Sequence, residues 1–292
     1  MEDISMRHTL LLLAIATLAP SQTQPPLSVK WEELTAIDFS AAIQRAQGTC
    51  LLPFGVLEKH GPHLPLGTDL LNVRYSSIRA AEQDFAVVFP QYFAGQIFEA
   101  MHEPGTVAYS ANLQLLLMQE TTSEMARNGC KKIIIVNGHG GNTSFLPFFS
   151  QSQLASPRDY VVYAYVRPAT PAGGPAKKSV NDGHAGESET ANTLVSHPGL
   201  VKMDRAASQS GANRNRLDLP TGLYTGIWWY ARYPEHYAGD GSVATKELGE
   251  FQMKAWADGL ANAIRAVKAD QTSLRLQNEF FEKAKRPLET KQ

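Results

Sequence analysis

The chain has 292 residues, with 27 Lys+Arg against 28 Asp+Glu for a net charge of −1, and it is 43% apolar and 19% charged. That is ordinary globular composition. With no long basic stripe, nucleic acid and anionic membrane surfaces are not expected partners, and two cysteines are too few for a disulfide scaffold.

At the N-terminus, Arg7 and His8 precede an apolar run over residues 9–19, and a polar, proline-rich stretch follows over residues 20–26. This is the pattern of an export signal, and the run is shorter than the ~20 residues a membrane-spanning helix needs. The start is Met1 or Met6. The reading is a leader over residues 1–24 and one domain over residues 25–292, exported to the periplasm or beyond. No cysteine stands at a lipobox-like place after the leader, so a stable membrane anchor is not expected.

Residues 50–57 form a short apolar run, read as a buried strand that delivers Glu58 and His60 at its C-terminal end. Residues 85–89 are a second strand candidate. Residues 111–128 carry helical apolar spacing, with Ser110 placed to cap the start and Gly129 to end the helix. A β-branched strand over residues 131–136 runs into Asn137-Gly138-His139-Gly140-Gly141, and another strand is expected over residues 160–166. Helices are expected over residues 190–196, 244–267 and 271–285. Cys50 and Cys130 each stand at the start of a strand and could pair. Strands alternating with helices predict an α/β fold with a mostly parallel sheet covered on both faces. In such sheets ligands bind beyond the carboxyl ends of the strands.

Three segments place metal-ligating side chains beside glycines: Glu58, His60, His63 and Asp69; then His139; then His184, Glu187 and Glu189. Glu58 and His60, two apart in extended chain, share one face. Asp69 follows a Pro- and Gly-containing loop that can fold back, and its two oxygens could bridge two ions. Imidazoles mixed with carboxylates suit Zn, Mn or Fe better than Cu(I), Mg or Ca. Two such ions can activate a shared water and polarise a carbonyl, while a remaining histidine protonates a leaving nitrogen.

At Glu58-x-His60-Gly61-Pro62-His63-Leu64-Pro65-Leu66-Gly67-Thr68-Asp69, Asn137-Gly138-His139-Gly140-Gly141-Asn142 and His184-Ala185-Gly186-Glu187-x-Glu189-Thr190, the chain resembles the creatininase family of metal-dependent amidohydrolases. The likeness covers roughly residues 30–270. It implies a three-layer α/β/α sandwich with a two-metal site. Glu58, Asp69 and His139 would hold one ion; His60, the shared Asp69 and Glu187 would hold the other; His184 would be the catalytic histidine. Glu189 and His63 would support the ligands, and His102 and Glu103 would line the substrate pocket.

Creatininase itself takes a carboxylate ligand two residues after the histidine matching His139, where this chain has Gly141. Its ring-enclosing tryptophans are absent from residues 160–180. Creatinine is therefore not the expected substrate. The expectation is a small-molecule amide, opened or cleaved at a C–N bond other than an ordinary peptide bond, with two divalent ions per chain. A deformylase or lactonase is an alternative within enzymes, and a non-catalytic exported metal- or small-molecule-binding protein is one outside them. The resemblance also implies a homo-oligomer, with a hexamer as one arrangement. His197 and His236 read as surface residues, and Trp228-Trp229-Tyr230 as core or subunit interface.

Overall fold

The chain is described by a computed structural model covering residues 26–291, so the leader expected over residues 1–24 lies outside the described residues. In chain order the main elements are α1 (Ala36–Arg45), β1 (Thr49–Phe54), α2 (Thr68–Gln83), β2 (Val87–Val88), α3 (Ala111–Arg127), β3 (Lys132–Asn137), α4 (Asn142–Ser152), β4 (Val161–Tyr165), α5 (Glu187–Ser196), α6 (Trp228–Arg232), α7 (Lys246–Ala269) and α8 (Ser273–Ala284).

The four strands form one all-parallel sheet in the order β2-β1-β3-β4. β1 and β3 lie in the middle and are buried on both faces, which explains their near-continuous apolar sequence. Side chains alternate across the pleat. Cys50, Leu52, Phe54, Ile133 and Ile135 pack toward α1, α3 and α4, through Ala42, Met118, Met125, Leu146 and Phe149. Leu51, Ile134 and Val136 pack the other way, onto Val73 and Ala80 of α2 and Met253, Trp256, Leu260 and Ile264 of α7. This is the three-layer α/β/α arrangement. Each fully buried Leu or Ile contributes about 1.5–3 kcal/mol relative to exposure, so the sheet is a rigid platform for what its strand ends carry.

Ser110 caps α3 by accepting from Leu113 N, and Gly129 ends the turn with φ +100°. A disulfide joins Cys50 to Cys130, whose Cα atoms lie 5.7 Å apart. It ties the start of β1 to the segment entering its neighbour β3.

The structure corrects the sequence reading in three places that matter for the site. The strand read over residues 50–57 ends at Phe54, so Glu58 is delivered by a loop rather than by the strand itself. Asp69 follows its loop as expected, but as the second residue of the sixteen-residue α2, a helix the sequence reading did not place. Finally, α5 begins at Glu187, three residues earlier than expected, because Asp182 accepts from Ser188 N at 2.9 Å and caps the first turn.

Candidate metal centre

Beyond the carboxyl ends of β1 and β3, four polypeptide segments meet. Glu58 and His60 come from the loop after β1, Asp69 from the first turn of α2, His139 from the loop after β3, and His184 with Glu189 from the turn entering α5. Their ligand atoms form three overlapping triads, each drawn together within 4.8 Å: Glu58–His60–His184, Glu58–Asp69–His139 and His60–Asp69–Glu189. Glu58, His60, Asp69 and His139 are buried.

The direction of each imidazole follows from its outer nitrogen. His60 Nδ1 lies 3.1 Å from the Glu58 backbone carbonyl, so that nitrogen carries a proton and Nε2 is turned to Asp69 Oδ1 at 3.1 Å. His139 Nε2 donates to the Gln96 carbonyl at 3.0 Å, which aims Nδ1 at Glu58 Oε1 and Asp69 Oδ2, 2.9 Å from each. Neither of those two approaches is aligned as a hydrogen bond, and Glu58 Oε1 and Asp69 Oδ2 are buried with no donor. Two imidazole nitrogens and three carboxylate oxygens thus converge on one another. Such an arrangement is repulsive unless protons or a cation stand among them.

The protonation equilibria express the same demand. Burial opposes charge on His60, but the Asp69 carboxylate beside it, reinforced by Glu58 and Glu189, holds its pKa up at about 9. His139 is likewise raised well above its ordinary value by Glu58 and Asp69 despite its burial. Glu58 is held well below the usual carboxylate range by the surrounding imidazoles, although burial alone would raise it. Burial beside Asp69 and Glu58 raises Glu189 to about 7. The donor set of imidazole nitrogen and carboxylate oxygen, with backbone carbonyls fixing the outer ring nitrogens, fits a borderline divalent ion.

Glu187 does not join this cluster. Its carboxylate accepts from the backbone N–H groups of Lys178 at 2.8 and 3.0 Å and of Ser179 at 2.7 Å. Because α5 already includes residue 187, Glu187 and Glu189 lie roughly 200° apart around the helix, and only one can face the other ligands. Glu189 is that one, and the sequence expectation for Glu187 as a ligand gives way to it. Gly141 could not have supplied the carboxylate either: a Cβ there would sit 2.5 Å from His139 Nε2 and 2.9 Å from the Gln96 carbonyl oxygen.

His184 stacks near His60, with ring centroids 4.3 Å apart. Its Nε2 donates to the Lys59 carbonyl at 2.7 Å, leaving Nδ1 free and 3.9 Å from Glu189 Oε2. Burial pushes this imidazole down to about 3, so it is neutral at physiological pH. His63 is buried beneath the third motif, its Nε2 2.8 Å from Thr190 Oγ1, whose hydroxyl donates to Ala185 O. It buttresses the turn between His184 and Glu189. His102 and Glu103 stand outside the cluster: His102 Nε2 donates to Pro234 O at 2.8 Å, and Glu103 pairs with Lys59 at 2.9 Å.

The reading of His236 as a surface residue is overturned. His236 is buried, and its Nε2 lies 2.5 Å from Glu58 Oε2. Trp229 joins it, donating from Nε1 to His236 Nδ1 at 2.9 Å, with its ring 5.9 Å from that of His184. The one sequence signal was compositional: His236 stands near Gly239 and Gly241 in a Pro- and Gly-containing stretch, as the other site histidines stand near glycines.

The profile of the family described as "Creatininase: creatinine amidohydrolase" matches residues 32–264. A creatinine amidohydrolase from Pseudomonas putida is 25% identical over 80% of this chain and 95% of its own length. A mycofactocin precursor peptide peptidase from Mycolicibacterium smegmatis is 30% identical over 77% of this chain and 87% of its own. The solved structure of a creatininase described as its Mn form superposes with a TM-score of 0.66 at 25% identity, covering 83% of this chain and all (100%) of that one.

Proposed function

The chain belongs to the creatininase family of metal-dependent amidohydrolases, and from that premise we propose that it is an exported two-metal enzyme that opens a cyclic amide or cleaves another small C–N amide bond. The two-metal reading is supported by the buried, donorless oxygens Glu58 Oε1 and Asp69 Oδ2, each 2.9 Å from His139 Nδ1, together with the second triad that shares Asp69. Glu58, Asp69 and His139 form one ligand set, and His60, Asp69 and Glu189 the other, with Asp69 common to both. When bound, the ions lower the pKa of water to generate a nucleophile and polarise the amide carbonyl; Zn, Mn and Fe all suit these donors.

His184 supplies the proton traffic. Its neutral imidazole offers Nδ1 on the side of Glu189, where it takes a proton from the attacking water and returns it to the departing nitrogen. The backbone hydrogen bond to Lys59 O keeps the ring in that tautomer. Trp229 forms an aromatic wall beside His184, and His102 holds the segment after it through Pro234 O.

Export is supported by the basic pair at Arg7 and His8 with its following apolar run, and by the disulfide between Cys50 and Cys130. No helix among the described residues is long and apolar enough to cross a membrane.

The test is a panel of cyclic amides, formamides, lactones and short peptides, assayed on the metal-loaded protein and on Glu58→Ala and His139→Ala. Hydrolysis of an amide that both variants lose, together with their metal, supports the reading. Full metal with tight ligand binding and no turnover on any member would favour a binding protein. Turnover confined to lactones or formamides would reassign the leaving group.

A further inference from the structure

We propose that His236 and Trp229 form a hydrogen-bonded clamp that sets the orientation of the Glu58 carboxylate and thereby the affinity of the metal centre. The inference rests on the two-metal reading above, since it concerns how one of the ligands of that site is held.

The indole of Trp229 can only donate. Trp229 Nε1 lies 2.9 Å from His236 Nδ1, so Nδ1 is the acceptor and the single proton of the neutral imidazole sits on Nε2. That N–H then points at Glu58 Oε2, 2.5 Å away. The direction of donation through the whole chain, indole to imidazole to carboxylate, is thus fixed at its outer end. A carboxylate whose Oε2 is held from behind can turn only its Oε1 toward Asp69 and His139, and Oε1 is the oxygen left without a donor.

The backbone is built to hold the clamp in place. His236 has φ +48°, in the left-handed region that disfavours a side chain. Its carbonyl accepts from Gly61 N, in the segment between His60 and His63, and two residues later Ala238 N donates to the carbonyl of His184. The 236–238 segment is therefore stitched to the first and third ligand-bearing motifs at once. Trp229 comes from the short helix α6 and has its ring packed on Tyr233, with centroids 4.8 Å apart, which leaves its N–H directed at the histidine. A histidine serving only to fill core would need neither the outer donor nor this anchorage.

Neither residue is a ligand in this account: both are positioning residues, acting through Glu58. Partners of this kind behind a metal ligand typically alter affinity by 10–100-fold.

The experiment is a competition titration of the purified protein with Zn against a chromophoric chelator, comparing wild type, His236→Ala, His236→Gln, Trp229→Phe and Glu58→Gln, each checked for native far-UV circular dichroism. The clamp predicts a Kd raised 10–100-fold in His236→Ala. His236→Gln, whose amide can still donate to Glu58, should recover most of that loss. Trp229→Phe, which keeps the ring and removes only the N–H, should weaken binding several-fold, and it carries the test if His236→Ala does not fold. If Glu58→Gln binds Zn like wild type, the two-metal reading itself falls. If Glu58→Gln loses Zn while His236→Ala and Trp229→Phe bind it as wild type does, or if Gln fails to rescue, the clamp alone is overturned.

Discussion

Glu187 and Glu189 carry the same functional group two positions apart, yet the turn of α5 sends them to different tasks. Glu189→Ala should release metal and abolish turnover. Glu187→Ala should retain its metal but lose about 1 kcal/mol of stability, because two part-buried backbone N–H groups lose a charged acceptor. Elemental analysis and thermal melting of the two variants separate these outcomes, and metal loss in Glu187→Ala with retention in Glu189→Ala would reverse the assignment. The pH response belongs to the same residues. With His60 at about 9 in the metal-free protein against about 6.5 unfolded, its contribution to stability is fully present below pH 6.5 and is lost as pH rises through 9. Glu189, raised to about 7, adds a loss of the same sign between about pH 4.5 and 7. Above pH 6.5 the metal-free Tm should therefore fall as pH rises toward 9. Zn affinity should rise over the upper part of that window, with proton release, because the ion displaces the His60 proton. A metal-free Tm that rises from pH 6.5 to 9 would contradict this. At this scale the sequence was readable where ligands recur beside glycines, as at Glu58, His60, Asp69 and His139. For His236 it offered only the nearby glycines, because the burial of that residue depends on a loop path that no local pattern encodes.

Among the elements, the strands were legible because β1 and β3 are buried on both faces and so read as unbroken apolar runs. Helix α2 was not, although it carries Asp69. Its inward face includes Asn72, Arg74, Ser76 and Ser77, buried polar residues that blur the apolar period. Asn72 is tolerated there because it finds partners elsewhere, donating to Thr193 Oγ1 and accepting from Ser196 on α5. The start of α5 was misplaced for a similar reason, since its cap, Asp182, stands six residues before its partner Ser188. The disulfide is an element-level device. It closes a loop of 80 residues between β1 and β3, and constraining such a loop in the unfolded chain contributes about 4 kcal/mol in the chain-entropy treatment. Cys50→Ala with Cys130→Ala should lower the Tm by roughly 10 °C while leaving metal content unchanged. An unchanged Tm, or free thiols in protein recovered from an oxidising compartment, would argue against the bond.

For the molecule as a whole, the layered architecture explains why segments more than a hundred residues apart meet at one point. A parallel sheet brings all its carboxyl ends to one edge, and the loops after β1 and β3 deliver their ligands there together. Around the same region Leu223, Tyr224 and Ile227 are exposed, at 64%, 80% and 56%. Such apolar surface supports the homo-oligomer proposed from the family resemblance. Light scattering should give a mass that is a multiple of the chain's, reduced by Tyr224→Asp with Ile227→Asp; a monomer at micromolar concentration would count against it. The central claim is that the ring of imidazoles and carboxylates exists to hold two ions. It is tested most directly by elemental analysis of the mature protein, purified without chelators from an exported preparation. The account predicts about two transition ions per chain, falling in Glu189→Ala. No bound ion, even after incubation with Zn or Mn, would contradict it.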